Sequence, residues 1–140
     1  MGSGKLRLYD LSTVSPLKPD VVILEIGAND LVADRPEVVG SAIEDLVQLL
    51  LQSYSVRIMG VHEVIPMVHV PFFNAAAPIL KQYLTEVLAN RRNVFTWRHS
   101  GFCNPTVNPY LPDGVHLNSQ GQYFLYRSYR GAILKAIGSL

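Results

Sequence analysis

Hydrophobic residues are distributed along the chain in short continuous runs that alternate with longer stretches of helical spacing. Residues 21–26 are β-branched and almost entirely apolar, which is typical of a strand buried on both faces of a parallel sheet. Residues 56–61 and 93–97 predict two further strands. Residues 27–30 follow the first strand and are predicted to form a polar turn at its carboxyl end.

Three stretches repeat apolar residues every three or four positions, as helices do. Asp34 is predicted to cap the first helix, which continues to about Tyr54, and Asn74 to cap the second. Asn118 or Ser119 is predicted to cap the last helix. The apolar positions of that last helix are Phe124, Tyr126, Tyr129, Ile133, Leu134 and Ile137.

The order of these elements is β-α-β-α-β-loop-α, without an internal repeat. Alternating strands and helices predict a parallel sheet with helices on both faces, which is a three-layer α/β/α architecture. A chain of 140 residues is expected to form a single domain, residues 1–140, of which residues 1–16 contain no clear element. With 49% hydrophobic and 16% charged residues, the chain has the composition of a globular protein.

Composition and charge exclude several classes of protein. The net charge is +1 and no basic run is longer than Arg91-Arg92, which argues against nucleic acid as the main partner. The single cysteine, Cys103, excludes an internal disulfide and a cysteine-rich zinc site. The apolar runs are too short to cross a membrane, and the first residues lack the apolar core of a signal peptide. We therefore expect a soluble protein, cytoplasmic by default, that needs no cofactor.

Candidate chemistry lies in residues 112–118, in the loop before the last helix. Asp113 and His116 are three residues apart, and a carboxylate beside an imidazole is how a histidine is oriented to act as a base for a nucleophile. The alternative is structural, with Asp113 capping a turn and His116 packing under the last helix. The residues alone leave both interpretations open.

Two segments together resemble a known family. Residues 17–31, Leu-Lys-Pro-Asp-Val-Val-Ile-Leu-Glu-Ile-Gly-Ala-Asn-Asp-Leu, are similar to the third conserved block of the SGNH, or GDSL, hydrolases. Asp113-Gly-Val-His116-Leu-Asn resembles the fifth block of the same family. The resemblance covers residues from about 17 to 138 and implies a flavodoxin-like sheet and serine-type hydrolysis of acyl esters. A small acyl ester is then the expected ligand.

The resemblance implies a role for each matching residue. His116 would be the general base, Asp113 its orienting carboxylate, and Asn29 the donor of a side-chain amide to the oxyanion. Gly4 would match the second block, whose backbone amide also contacts the oxyanion. Asp30 is expected to hold the turn through backbone amides, and Gly27 to let the chain leave the strand sharply.

The nucleophile that the family requires is missing, because no Gly-Asp-Ser motif occurs in the chain. The resemblance then implies that the chain begins after the nucleophile strand, so that the domain is truncated at its N-terminus and is inactive or nearly so. Three substitutes for the nucleophile are considered, namely Ser3, Cys103, and a serine supplied by a second chain or a missing fragment. For Cys103, the simpler interpretation is a small, partly buried apolar residue.

The remaining histidines give no metal-binding pattern. His62, His69 and His99 have spacings that fit neither a helical pair nor a zinc motif, so they are expected to be core or loop residues. No metal site is predicted.

A second hypothesis makes the chain a degenerate SGNH domain that binds a partner or itself. Without the central strand, Val21–Ile26 would form an exposed sheet edge, and exposed edges invite pairing. Leu6–Tyr9 could fill that edge, or two chains could pair there as a homodimer or domain swap.

Overall fold

The computed structural model of the chain describes residues 17–68, 70–103 and 106–140, and the side chains of Asn29 and Cys103 are not among those described. In this part of the chain three strands form a parallel sheet in the order β1-β2-β3, with β1 at Val21–Leu24, β2 at Ile58–His62 and β3 at Val94–Trp97. Val21 pairs with Ile58 and Met59 with Val94. The predicted parallel α/β architecture is confirmed.

Within the described residues, four helices of at least six residues surround this sheet. They are α1 at Ala28–Ala33, α2 at Pro36–Ser53, α3 at Pro71–Leu88 and α4 at Ser119–Gly138, and a short 3-10 helix covers Ser100–Cys103.

The main core lies between the sheet and the paired helices α2 and α3. Met59 and Val61 of β2 point into it, and Phe73 of α3 is fully buried there. Helix α4 packs on the opposite face, against β1, β2 and the 3-10 helix. The sheet is therefore covered by helices on both sides, as predicted. Each described helix is too short or too polar to span a lipid bilayer.

Three predicted element boundaries are wrong. The polar turn at residues 27–30 is the start of α1, and Gly27 enters that helix with φ +107°, a backbone conformation that suits glycine. Arg35 is the N-cap of α2, whereas Asp34 ends α1. Helix α3 begins at Pro71, and proline is tolerated there because the backbone N–H at the first helical position has no partner within the helix. Asn74 lies inside the first turn of α3 and does not cap it.

The cap of the last helix is as predicted. The side chain of Asn118 accepts a hydrogen bond from the backbone N–H of Gly121 at 2.9 Å, which satisfies one of the free amides at the start of α4. The Asn118 amide also donates to the carbonyls of Asn108 and Tyr110. This residue thereby joins the helix to the loop that carries Asp113 and His116.

Candidate active site

Asp113 and His116 form a directly hydrogen-bonded pair. His116 Nδ1 lies 2.6 Å from Asp113 Oδ2, and the proton is on the imidazole because a carboxylate only accepts. The backbone N–H groups of Val115 and His116 donate to Asp113 Oδ1, each at 2.9 Å. Asp113 thus caps its own turn and also orients the histidine ring, which leaves His116 Nε2 for another partner.

The pair lies at the surface, since the side chain of His116 is 76% exposed and that of Asp113 is 48% exposed. The structural alternative required His116 to pack under the last helix, and this exposure shows that it does not. The hydrogen bond from His116, together with those from the backbone of Val115 and His116, lowers the pKa of Asp113 to about 2. The carboxylate therefore stays ionised at neutral pH.

Contacts to the β2–α3 loop hold this turn in place. The backbone N–H of Val68 donates to the Gly114 carbonyl at 2.8 Å, and the Tyr110 hydroxyl donates to the Pro66 carbonyl. Gly114 has φ +72°, and a Cβ on it would lie 2.8 Å from Val68 Cβ. This close approach requires glycine between Asp113 and His116.

The other predicted site residues are only partly described. Gly27 is the N-cap of α1, Asn29 lies in the first turn of that helix, and Asp30 is buried there with 4% exposure. The structure does not describe the Asn29 side chain, so its distance to His116 stays open. Gly4 lies in residues 1–16, outside the described chain.

The substitute nucleophiles also fall outside the described atoms. Ser3 precedes residue 17, as does the Leu6–Tyr9 segment predicted to cover the sheet edge. Cys103 ends the 3-10 helix, but its side chain is not described. The structure thus brings Asp113 and His116 together without a described nucleophile beside them.

A second polar cluster occupies the carboxyl ends of the strands, on the face that α4 covers. Glu25 follows β1, His62 ends β2 and His99 comes two residues after β3. Both imidazoles contact the same carboxylate oxygen, Glu25 Oε2, through His62 Nδ1 and through His99 Nε2, the latter at 2.8 Å. The histidine side chains are 0% and 3% exposed and that of Glu25 is 31% exposed.

Residues of α4 and β3 extend this cluster. Ser128 Oγ lies 2.7 Å from His99 Nδ1 and accepts a hydrogen bond from the Trp97 indole N–H at 3.0 Å. The Tyr129 ring stacks near His62, with 4.9 Å between ring centroids. The cluster is therefore braced by α4 in addition to the strands that carry its charged groups.

The carboxylate sets the electrostatics of the cluster. Burial alone would raise the pKa of Glu25, but the hydrogen bonds from His62 and His99 outweigh burial and lower the pKa below its usual value. Burial and the negative charge of Glu25 raise the pKa of Tyr129 to about 12. An ionised Glu25 with a neutral Tyr129 is thus the stable state of this region at neutral pH.

The burial of His62 and His99 agrees with their prediction as core residues, but their contact with Glu25 was missed. The usable signal was a single glutamate at the end of an apolar strand, together with histidines at the ends of the next two strands. Because carboxyl ends of parallel strands share one edge, such residues converge.

A cavity of about 290 Å³ opens on the other face of the sheet, beside α3. Its walls are mainly apolar, and Glu63 and Lys81 lie in its lining with 3.5 Å between their charged atoms. Neither Asp113 nor His116 is among its lining residues. The cavity and the hydrogen-bonded pair are therefore separate features of the described structure.

Comparisons with known proteins agree with the fold. The model of the GDSL-like lipase/acylhydrolase family matches residues 3–127. A serine-to-alanine mutant of an acetyl esterase, solved with an acetate ion, is similar with a TM-score of 0.77 and 18% identity, over 99% of this chain and 69% of that one. A GDSL-like lipase from Bacteroides thetaiotaomicron has a TM-score of 0.69 and 19% identity, over 97% of this chain and 72% of that one.

No curated protein sequence matches the chain significantly. At these identities the two solved structures bear on the fold alone. The family model covers most of the chain, including both segments whose resemblance was noted in the sequence. The chain belongs to the GDSL-like lipase/acylhydrolase family.

Proposed function

We propose that the chain carries the proton-transfer half of a serine-type acyl-ester hydrolase site, and that by itself it has little or no hydrolytic activity. His116 is the general base and Asp113 the carboxylate that orients it. The observation that carries this proposal is the 2.6 Å hydrogen bond between His116 Nδ1 and Asp113 Oδ2. It fixes the tautomer in which Nε2 has a free lone pair to take a proton from a nucleophile.

In a complete site, a serine hydroxyl would attack the acyl carbonyl while His116 Nε2 takes its proton. The histidine would then return that proton to the leaving alcohol, and water would release the acyl group by the same route. The amide of Asn29 and a backbone amide such as that of Gly4 would donate to the oxyanion. Family membership supports these assignments for Asn29 and Gly4.

The missing nucleophile is the reason to expect a low rate. No Gly-Asp-Ser motif occurs in the 140 residues, and an exposed imidazole alone is a weak catalyst. In a serine protease, loss of the nucleophilic serine costs roughly six orders of magnitude in kcat. A chain with only the base and its carboxylate should therefore be close to the uncatalysed rate.

Hydrolysis of p-nitrophenyl acetate tests the proposal. The intact chain, His116→Ala and heat-denatured chain are expected to give the same slow release of p-nitrophenol, since no covalent acyl intermediate forms. Turnover that disappears in His116→Ala and in denatured protein would contradict the inactive state. Ser3→Ala and Cys103→Ala would then identify which side chain supplies the nucleophile.

The geometry of the pair has its own test, independent of turnover. The nitrogen-15 chemical shifts of the neutral His116 ring should show the tautomer protonated at Nδ1, a preference that is lost in Asp113→Asn. A ring protonated mainly at Nε2 in the folded wild-type chain would argue against His116 as an oriented base.

A second candidate function is self-association. Among the described residues β1 is an edge strand of the sheet, and α4, which packs against β1, turns large apolar side chains to solvent. Unpaired strand edges and exposed apolar faces both favour association between chains. We propose that two chains pair along Val21–Ile26, with the outward face of α4 contributing apolar contacts.

A further inference from the structure

The residues that the structure describes contain a group of metal-ligating side chains outside the Asp113–His116 loop. It consists of Glu25, His62 and His99, whose ligand atoms all lie within 4.8 Å of one another. Each residue stands at the carboxyl end of a different strand, and the three strands are neighbours in the sheet. His62 lies within a strand, and Glu25 and His99 follow the ends of the two neighbouring strands, so the sheet brings the three together.

We propose that Glu25, His62 and His99 bind a divalent transition-metal ion of the zinc class. Two imidazoles and one carboxylate are the protein ligands of many sites in which zinc keeps a fourth position open. Imidazole nitrogen favours zinc, nickel, copper or iron, whereas magnesium and calcium prefer an all-oxygen set. The chemistry of the donors thus selects the class of ion.

The ligand atoms lie within 4.8 Å of one another, so side-chain adjustments must bring them to the even spacing that such an ion needs. With metal–ligand bonds of about 2.0–2.2 Å, the ligand atoms of a tetrahedral site are roughly 3.3–3.5 Å apart. His99 Nε2 and Glu25 Oε2 are now 2.8 Å apart, in hydrogen-bond contact. A small outward rotation of Glu25, the least buried of the three, would open the required space.

His99 has the second partner that metal-ligating histidines usually have. Its Nδ1 faces Ser128 Oγ at 2.7 Å, and Trp97 donates to the same oxygen. When Nε2 gives its lone pair to a metal, the proton moves to Nδ1 and is donated to Ser128 Oγ. Such outer hydrogen bonds fix the ring orientation and the tautomer of a ligating histidine.

His62 presents its Nδ1 to the proposed ion, because that nitrogen is the one that contacts Glu25. Its Nδ1–H donates to Glu25, but its buried Nε2 has no hydrogen-bond partner among the described atoms. A metal ion on Nδ1 moves the ring proton to Nε2, which then needs an acceptor such as an ordered water. The side chain of Glu25 is 31% exposed, so it is the member of the cluster that solvent reaches.

The competing arrangement is a metal-free triad in which the two imidazole N–H groups simply satisfy the Glu25 carboxylate. Measurements of metal binding distinguish the two arrangements. The whole 140-residue chain, freed of metal with a chelator, is titrated with Zn²⁺ by calorimetry and with Co²⁺ by visible absorption. We expect one ion per chain, the strong visible bands of four-coordinate Co²⁺, and a higher melting temperature with Zn²⁺.

Variants locate the ion. Ser128→Ala is expected to weaken Zn²⁺ binding about 10–100-fold, as other losses of outer partners do. Glu25→Gln and His99→Gln are expected to weaken binding more than Ser128→Ala does, because each removes a ligand. His116→Gln, which removes the histidine of the other histidine–carboxylate pair, should bind Zn²⁺ like the wild type.

Circular dichroism establishes that each variant is folded. Glu25→Gln is close in shape and partly exposed, so it serves if His99→Gln does not fold. A folded wild-type chain that binds no ion would overturn the proposal. So would Zn²⁺ binding that survives Glu25→Gln, or that is lost only in His116→Gln.

Discussion

At the scale of single residues, the Asp113–His116 pair combines a strict orientation with high exposure. Asp113 accepts three hydrogen bonds, two from backbone N–H groups and one from the imidazole, all within its own turn. The carboxylate is therefore fixed by local geometry and needs no contact with a distant element. An exposed pair of this kind is only weakly protected from solvent and salt.

The depressed pKa of Asp113 leads to a prediction about pH. Because the folded-state pKa is about 2 and the ordinary value is 3.8, the interaction stabilises the turn above about pH 4 and is lost as the pH falls towards 2. Carbon-13 NMR titration of the Asp113 carboxyl should give a midpoint near 2 in the wild-type chain. The midpoint should rise towards 3.8 in His116→Gln.

The backbone amides set the limit of that rise. They continue to donate to Asp113 Oδ1 in His116→Gln, so the midpoint should stay somewhat below 3.8. A midpoint near 3.8 already in the wild-type chain would mean that the pair is not formed in solution, and it would remove the main support for His116 as an oriented base.

At the scale of elements, α4 packs differently from what its sequence indicates. Four of the six apolar positions predicted from its periodicity are between 43% and 61% exposed, namely Tyr126, Ile133, Leu134 and Ile137. The fully buried residues of the helix are small, Gly121, Ala132 and Ala136. Small residues let the helix axis approach the sheet closely. The large aromatic rings of β3 then fill the remaining space between the helix and the sheet. Gly131, for instance, lies against the Trp97 ring.

Gly121 provides a stability test of that close approach. A Cβ at this position would lie 2.2 Å from the carbonyl oxygen of Pro109, a backbone atom that cannot rotate away. Gly121→Ala is therefore expected to destabilise the chain by roughly 1–3 kcal/mol, because relief of the contact must move the loop that carries His116. Urea denaturation followed by circular dichroism measures the effect.

Gly138, in the same helix, is the matched control. A Cβ there would meet nothing within 4 Å, so Gly138→Ala should be neutral or stabilise by up to about 1 kcal/mol through helix propensity. Equal effects of the two substitutions would show that Gly121 is not constrained by Pro109.

At the scale of the whole molecule, the described surface includes large apolar side chains on the outward side of α4. The outward side of α4 exposes Leu134 and Ile137, at 53% and 56%, on the side of the sheet that α2 and α3 do not cover. If chains pair through β1 and α4, sedimentation should show a mass that rises with concentration across the micromolar range.

Substitutions on α4 make this prediction specific. The double change Leu134→Glu with Ile137→Glu should shift the chain to the monomer without unfolding it, since both side chains point to solvent. Ile79→Glu is the control, because Ile79 is 49% exposed on α3, across the sheet. A strictly monomeric wild-type chain at every concentration would rule out self-association.

The sequence by itself determined the alternation of strands and helices, because buried strands and amphipathic helices leave periodic patterns in the residues that form them. It also located Asn118 as a helix cap and the Asp113–His116 turn, since each depends on contacts between residues a few positions apart. Glycine at residue 27 marked the sharp exit from β1 for the same local reason.

Only the tertiary structure revealed the features that depend on contacts between distant segments. Glu25, His62 and His99 are separated by 37 residues in each step, and no local pattern relates them until parallel strands bring their carboxyl ends to one edge. Likewise, the periodicity of α4 could not reveal which side faces the sheet. The large side chains of β3 occupy the space at the contact, so that the small residues of the helix, and not its large apolar ones, face the sheet. Both the cluster and the orientation of α4 depend on packing between distant segments, which no short stretch of sequence encodes.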